Sequence, residues 1–255
     1  GESNLEKLKI CLDNGGHYML CVHKGLGYNK KTNMIKVVNL EKEYKTVLNE
    51  AVFEIEEKKS RFIAHVKPVA SEEEAVSFIN ELKAKYWDAT HNVYAYFIGG
   101  NNIVQRYSDD GEPSGTAGLP TLEVIKRMNV QNVVVVVTRY FGGTLLGAAG
   151  LIRAYGKSAA LGIEKAGIVI KRLCKEVRII VEYTIFGKLQ SFLLSKGYTI
   201  KDIIYEQDVE LIVFVYVDEI ENFSKLVTEV TNARAIVEIG DETYITLDLD
   251  GKLIL

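Results

Sequence analysis

Five consecutive valines, Val133 to Val137, constrain the fold of this chain more than any other feature. A strand with one face in water alternates polar and apolar residues, and this run shows no alternation. It is therefore typical of a strand that is covered on both faces. The sequence predicts a central strand here, with other elements packed on each side of it.

A strand and a helix are predicted directly before the valine run. Ile103 to Ser108 favours a strand, and Pro120 to Met128 favours a helix with Pro120 at its first position. Thr116 or Ser114 is expected to cap the helix. A strand–helix–strand unit makes its two strands parallel, so the loops that follow them leave the sheet at the same end. We expect these loops, residues 109–118 and 139–146, to face each other across one crevice, where open sheets bind ligands.

The two loops differ in charge. The first contains Asp109, Asp110 and Glu112 and no basic residue, whereas residues 139–157 contain no acidic residue. The second loop leads into a predicted helix over residues 147–164, and the start of a helix attracts anions. Arg139 there suits bidentate binding of phosphate or carboxylate. The alternative is that Arg139 pairs with Asp109 or Asp110 and locks the two loops together.

The chain upstream of this unit predicts further α+β structure. Two β-rich runs, Lys45 to Ile55 and Arg61 to Val69, read as a hairpin, and His91 to Ile98 reads as a strand. Ser71 and Glu74 form a capping box at the start of a helix between them. These elements predict a two-layer α/β sandwich for the first domain.

Residues 1–33 show no sustained hydrophobic period, although their first sixteen residues are compatible with a short helix. A well-patterned sequence begins at Met34, so we expect residues 1–33 to be a non-native or poorly packed leader. The spacing of Cys11, His17, Cys21 and His23 fits no common zinc finger, and no metal site is predicted.

Composition changes after Gly167. Residues 165–178 carry five basic residues and one acidic residue, which indicates a basic joint between two domains. From residue 173 onward there are eight basic and fifteen acidic residues, a net charge of −7. The predicted βαββαβ order of this part matches the ferredoxin-like motif. Its acidity favours a protein contact over phosphate binding.

The overall composition excludes several classes of protein. The net charge of −3 gives no general basic field toward nucleic acid, and the three scattered cysteines indicate a reducing compartment. The sequence contains no apolar run near eighteen residues and no signal peptide, which predicts a cytoplasmic protein without a membrane partner. The oligomeric state is left open.

Two long motifs resemble the signature of the YigZ/IMPACT family. They are YSDDGEPSGTAGLP, beginning at Tyr107, and VVVVVTRYFGGTLLGAAGLIRAY, beginning at Val133; His91 with Ala95 and Tyr96 fits the strand upstream. The resemblance covers Met34 to Leu255. It implies a first domain like the second domain of a small-subunit ribosomal protein, and a second domain like domain V of elongation factor G.

The resemblance also bears on function. Eukaryotic relatives regulate translation under amino-acid starvation by competing for the activator of an initiation-factor kinase, and for bacterial members the resemblance implies RNA or ribosome binding. Some relatives are labelled proline dipeptidases, but this chain lacks the histidine and carboxylate ladder of a two-metal peptidase. Combined with the loop chemistry, the motifs give a set of predicted ligand- or RNA-binding residues: Asp109, Asp110, Glu112, Ser114, Thr116, Arg139, Tyr140, Gly142, Gly143, Thr144, Arg153 and Lys157.

The sequence thus predicts an α+β protein with a leader (1–33), an IMPACT-type sandwich (34–170) and a ferredoxin-like domain (171–255). The first functional hypothesis is a cytoplasmic RNA- or ribosome-associated regulator of translation in a stress response, with no catalytic residue and no cofactor. Tyr140 and Phe141 are its stacking candidates. A second hypothesis is a hydrolase or metal-assisted enzyme that uses the acidic loop, with a divalent ion held by Asp109, Asp110 and Glu112. A hydrolase triad of His91, Ser114 and Asp110 is disfavoured, because Ser114 follows Pro113 in a loop and lacks the GxSxG turn; a capping or hydrogen-bonding role is expected for His91. A third is a protein-interaction module that acts through the acidic C-terminal half.

Overall fold

The computed structural model describes residues 8–12, 18–22 and 40–254. The chain divides into two units, Gly1–Leu40 and Glu41–Leu255. In the first unit, strand β1 (Leu8–Leu12) pairs antiparallel with strand β2 (Tyr18–Val22). The short helix expected here is therefore wrong for residues 8–12, whose alternation of apolar residues suits a strand. The remainder of the leader and residues 34–39, with the expected start at Met34, lie outside the described residues.

The second unit contains the remaining helices and strands. Its N-terminal half consists of β3 (Glu43–Val47), β4 (Ala51–Glu57), β5 (Ser60–Pro68), α1 (Glu72–Lys85), β6 (His91–Ile98), β7 (Val104–Ser108), α2 (Gly118–Arg127), β8 (Val133–Tyr140) and α3 (Ala148–Ala166). Its C-terminal half consists of β9 (Ile168–Val181), α4 (Tyr183–Ser195), β10 (Thr199–Tyr205), β11 (Val209–Tyr216), α5 (Ile220–Thr231) and β12 (Ile236–Leu247). Among the described residues, no helix is both long enough and apolar enough to cross a membrane.

The N-terminal sheet has the strand order β4-β5-β8-β6-β7, which places the valine strand β8 at its centre. All five valines are fully buried. Val133, Val135 and Val137 belong to a core shared with α2 and α3, whereas Val134 and Val136 pack in a second core with α1. Helices thus cover both faces, as the valine run predicts, and α1 adds a third layer to the expected two-layer sandwich.

The crossover unit has the expected direction. Strand β6 lies between β7 and β8 and is antiparallel to both, so β7 and β8 are parallel. The loops after β7 and β8 consequently leave the sheet at the same end. That end of the sheet carries the candidate site.

The C-terminal sheet confirms the ferredoxin-like prediction. Its order is β10-β11-β9-β12 with every neighbouring pair antiparallel, and α4 and α5 pack on one face around Leu189, Leu211 and Phe223. The other face is largely open. The predicted basic joint lies in the end of α3 and the first part of β9 rather than in a linker.

Strand β9 joins the two halves. Its first residues pair with β3, from Val47↔Ile168 to Glu43↔Arg172, and the rest of β9 pairs with β11 and β12. The strand expected over Lys45 to Ile55 is accordingly broken at residues 48–50, since β3 belongs to the C-terminal sheet and β4 to the N-terminal one. The proposed division at residues 170 and 171 falls inside β9 and stays a prediction.

Candidate nucleic-acid interface

The two predicted loops meet at one end of the N-terminal sheet. The carboxylate of Glu112, in the loop after β7, lies 2.5 Å from the guanidinium of Arg139 at the end of β8. The side chains of Glu112 and Arg139 are only 3% and 6% exposed. The loops are therefore locked together by an ion pair, although Glu112 is the partner instead of the expected Asp109 or Asp110.

Further contacts surround this buried pair. The hydroxyl of Tyr155 in α3 donates to the same Glu112 oxygen at 2.8 Å, and Arg139 donates to the hydroxyl of Ser60 at 3.3 Å. Burial, followed by the nearby Glu112 carboxylate, raises the pKa of Tyr155, so this phenol stays protonated and donates. The Arg139 guanidinium also lies against the rings of Phe62 and Phe141, 5.4 and 5.6 Å from their centroids. Arg139 is thus occupied inside the fold, and direct phosphate binding by it requires breaking this network.

Asp109 has a structural partner set of its own. One carboxylate oxygen accepts the backbone N–H groups of Ala117 and Gly118 at 3.1 and 2.8 Å, and the other accepts that of Gly115 at 2.9 Å. Asp109 therefore caps the start of α2. The predicted caps Ser114 and Thr116 are wrong, since the Thr116 hydroxyl donates to the carbonyl of Pro113 and Ser114 is exposed.

Asp110 is bound on the opposite side of the loop. Its carboxylate accepts from the ammonium group of Lys83 and from the backbone N–H of Asn92, each at 2.7 Å. The three acidic side chains of the loop thus point to three different partner sets. Among the residues that the structure describes, no cluster of three or more His, Cys, Asp or Glu side chains is arranged to hold a metal ion.

His91 does not form the hydrolase triad considered above. Its Nδ1 lies 2.7 Å from the backbone carbonyl oxygen of Asp110, an acceptor only, so Nδ1 carries the proton. Its Nε2 faces Glu112 at 3.7 Å. Since the Asp110 carboxylate is bound to Lys83 and Asn92, His91 here supports the acidic loop.

The remaining predicted site residues lie on the surface or in the glycine loop. Arg153 and Lys157 are exposed on α3, and Lys157 pairs with Glu57 at 2.9 Å. Gly143 has a φ of +82°, and it and Thr144 are exposed. Gly142 is packed so closely that a Cβ there would collide with the backbone of Lys59. Only glycine fits at that position.

The close contact between Gly142 and Lys59 involves a turn that was not predicted to be part of the site. Lys58 and Lys59 form the tip of the β4–β5 hairpin, with φ values of +48° and +65°, and both are exposed. The Ser60 hydroxyl accepts the backbone N–H of Gly142 at 3.1 Å. The hairpin tip therefore lies directly beside the glycine loop and carries two cations there.

Exposed aromatic side chains lie at the same end of the sheet. Trp87, the single tryptophan of the chain, is 81% exposed, and Phe141 is 46% exposed. The two segments are tied together, because Tyr140 donates to Asp88 and the backbone N–H of Phe141 donates to Thr90, each at 2.9 Å. We call this surface the aromatic rim; it consists of Lys58, Lys59, Trp87, Tyr140, Phe141 and Leu145. Trp87 was not among the site residues predicted from the sequence, although it lies directly after the apolar stripe of α1.

The expected basic joint does not extend this surface. Lys171 donates to the hydroxyl of Thr246, Arg172 pairs with Glu43 and Asp218, and Arg178 lies near Glu210 and Glu238. Lys175 lies near Glu242. Because Arg172, Lys175 and Arg178 lie close to carboxylates and Lys171 is bound to a hydroxyl, most of the joint is not a free basic patch.

Comparisons with known proteins agree with the fold and the loop motifs. The Impact N-terminal domain family matches residues 58–163, and a domain of unknown function, DUF1949, matches residues 179–234. The IMPACT family member YvyE of Bacillus subtilis is 44% identical over 79% of this chain and 93% of its own length. An IMPACT family member of Haemophilus influenzae is 32% identical over 77% of this chain and 97% of its own length.

Other relatives match the chain less completely. Protein IMPACT of Mus musculus is 41% identical over 36% of this chain and 30% of its own length. A solved structure of a hypothetical protein is 28% identical, with a TM-score of 0.51, over 78% of this chain and 97% of that one. The two-domain translational regulator Yih1 matches 55% of this chain with a TM-score of 0.30, which is too low for a comparison of folds.

Proposed function

The chain belongs to the IMPACT family, and from that premise we propose that it is a regulator of translation that binds RNA through the aromatic rim. The translational role rests on the family resemblance. The RNA contact rests on one observation, the grouping of exposed aromatic rings and cations around a glycine loop at one end of the N-terminal sheet.

The aromatic rings supply the first part of the support. Aromatic side chains with a free face stack on nucleobases, and this contact is a general mode of binding single-stranded nucleic acid. Trp87 and Phe141 are the exposed aromatic side chains of the aromatic rim, and Tyr107 near the end of β7 is exposed as well. Tyr140 lies between Trp87 and Phe141 in the network of hydrogen bonds.

Cations supply the second part. Lys58, Lys59, Lys85 and Arg153 are exposed, and within the described part of the chain none of them has an ion-pair partner. Lys58 and Lys59 flank the glycine loop, and Lys85 lies two residues before Trp87. Such cations neutralise phosphates and release counterions, which makes binding sensitive to salt.

The role of the predicted residues changes with this surface. Arg139, Glu112, Asp109 and Asp110 hold the loops in place from beneath, whereas Lys58, Lys59, Trp87 and Phe141 contact the RNA. Gly143 and Thr144 are exposed in the glycine loop beside the same surface, whereas the backbone N–H of Gly142 is bound to Ser60. We therefore keep the predicted location of the binding site but assign direct contact with RNA to different side chains.

Binding of a fluorescently labelled RNA, followed by anisotropy at several salt concentrations, tests the proposal. We expect the double variant Lys58→Ala/Lys59→Ala to bind more weakly and to reduce the slope of log affinity against log salt by about 1.4, at about 0.7 per phosphate contact. The matched control is Lys225→Ala/Lys252→Ala, which removes two exposed lysines of the C-terminal half. An absence of RNA binding at low salt, or an equal loss in the control, contradicts the proposal.

A second candidate function is protein binding by the open face of the C-terminal sheet. Ile236 of β12 is 60% exposed on this face next to Glu238, since Ile236 pairs with Ile180 and Glu238 with Arg178. This surface suits a segment with basic and apolar side chains. Substituting Ile236→Glu is expected to abolish capture of such a partner while leaving RNA affinity unchanged.

A further inference from the structure

We infer that the aromatic rim selects RNA whose bases are unpaired, with Trp87 and Phe141 as the stacking platforms. This inference rests on the proposed function and specifies its ligand class. It goes beyond a general attraction to phosphate, which single-stranded and double-stranded RNA share.

Trp87 is held in position although its side chain is in solvent. The carbonyl oxygen of Tyr86, directly before it, accepts from the side-chain amide of Asn92 and from the backbone N–H of Ala89, each at 3.1 Å. Asp88, directly after it, accepts from the Tyr140 hydroxyl. An indole that is 81% exposed on a segment anchored on both sides presents most of its ring surface to a ligand.

Phe141 is backed by the buried ion pair. The Arg139 guanidinium lies 5.6 Å from the centroid of its ring, and the ring is still 46% exposed. A cation that occupies one side of a ring leaves the other available for stacking. The network of Glu112, Arg139 and Ser60 thus positions Phe141 as well as the glycine loop.

Unpaired bases are the ligand that fits two separate exposed rings. In a duplex, the faces of each base are covered by its neighbours, and recognition relies on the backbone and the 2′-hydroxyls. In a single strand the bases are free to stack on aromatic side chains, a contact worth about 1–3 kcal/mol per base. Leu145, which is 82% exposed in the glycine loop, adds apolar surface for a base or a ribose.

The single tryptophan makes the inference directly measurable. Trp87 is the only indole of the chain, so its fluorescence emission reports on this surface alone. The whole 255-residue chain is titrated with an unstructured single-stranded RNA of twelve nucleotides, and separately with the same strand annealed to its complement. Anisotropy of a label on the RNA measures binding independently of the indole.

We expect the single strand to quench Trp87 emission and to bind at least ten times more tightly than the duplex. The substitution Trp87→Leu is expected to weaken single-strand binding about 5- to 150-fold, the range that corresponds to one stacked base. Trp87→Phe retains a ring and should restore most of the affinity. Because position 87 is exposed, both variants should melt at the temperature of the unmodified protein.

The possible failures are distinguishable. Binding of single strand and duplex with equal affinity, or binding of the single strand without quenching and without loss in Trp87→Leu, overturns this inference and leaves RNA binding in place. An absence of any change in anisotropy with either RNA overturns the proposed function itself.

Discussion

The two halves of the folded unit use charge in opposite ways. In the N-terminal half, Glu112 and Arg139 form an ion pair with side chains 3% and 6% exposed. In the C-terminal half, Arg178 lies near Glu210 and Glu238 on an open sheet face, where these three side chains are 22% to 57% exposed. The same chemical groups therefore act as internal supports in one half and as a solvated surface in the other.

The different burial of these ion pairs indicates where a functional surface is to be expected. A buried pair must keep its partner, since an uncompensated buried charge is costly, and it fixes the geometry around it. Exposed pairs contribute little to stability and exchange partners readily. The rim above the buried pair is consequently the better-defined binding surface, although the C-terminal half has the larger net charge.

The largest expected effect comes from breaking the buried pair. Arg139→Met leaves Glu112 charged and without its main partner, so we expect the free energy of unfolding to fall by about 3–5 kcal/mol. Urea denaturation monitored by circular dichroism measures the change. The double variant Arg139→Met/Glu112→Gln is expected to recover a large share of the loss. A decrease below about 1 kcal/mol in the single variant would show that the pair does not support the rim.

The second expected effect is a change in the free energy of unfolding with pH, and it comes from His65 in the N-terminal half. Burial, with a smaller contribution from Lys85, lowers the pKa of His65 from 6.5 to about 4. The unfolded chain therefore takes up a proton below pH 6.5 that the folded chain does not, so stability falls as the pH drops from 6.5 to 4. We expect a loss of up to about 3 kcal/mol over this window, at about 1.4 kcal/mol per unit.

Urea denaturation at pH 7, 5.5 and 4 measures this loss, with His65→Leu as the comparison. The variant should lack that part of the pH dependence, because leucine does not titrate and the buried Nε2 of His65 has no hydrogen-bond partner to lose. The C-terminal half contains no histidine. If the stability of the variant and of the unmodified protein depended on pH equally, His65 would not be the cause of the loss at low pH.

A smaller effect is expected from the cap of α2. Asp109→Ala removes three hydrogen bonds to backbone N–H groups and should lower the free energy of unfolding by about 1–2 kcal/mol. Ser71→Ala, which removes a single cap bond at the start of α1, is the matched control and should cost less. Thermal melts of both variants show which substitution lowers the stability more. The opposite order would argue against Asp109 as the cap.

The smallest effect should come from the surface of the C-terminal sheet. Lys201 pairs with Glu176 there, and both side chains are more than a third exposed. Lys201→Met is therefore expected to change the free energy of unfolding by less than about 0.5 kcal/mol. A loss comparable to that of Arg139→Met would remove the contrast between the two halves.

Local patterns predicted the parts of the fold that depend on neighbouring residues. The valine run located the central strand, and Ser71 located the start of α1. The cap of α2 was missed because Asp109 lies nine residues before Gly118, the first residue of that helix, whose N–H group it binds. The pairing of β3 with β9 joins residues more than a hundred positions apart, and no local pattern reports such a contact.

The candidate site was predicted in location more accurately than in its contacts. The parallel direction of β7 and β8 brought the two loops together, as expected from the crossover unit. Which carboxylate met Arg139 depended on the exact path of the loop, where Gly111 and Asp110 both adopt positive φ. The position of Trp87 directly after the apolar stripe of α1 was its one local signal, whereas the approach of Lys59 to Gly142 depends on tertiary packing.

Ultraviolet crosslinking of the 255-residue chain locates the RNA contact residue by residue. The protein is crosslinked by ultraviolet light to a single-stranded RNA containing 4-thiouridine, and the crosslinked peptides are identified by mass spectrometry. We predict crosslinks at Trp87 or Phe141, in the aromatic rim of the N-terminal half. Crosslinks confined to the C-terminal sheet, residues 168–247, would contradict this account.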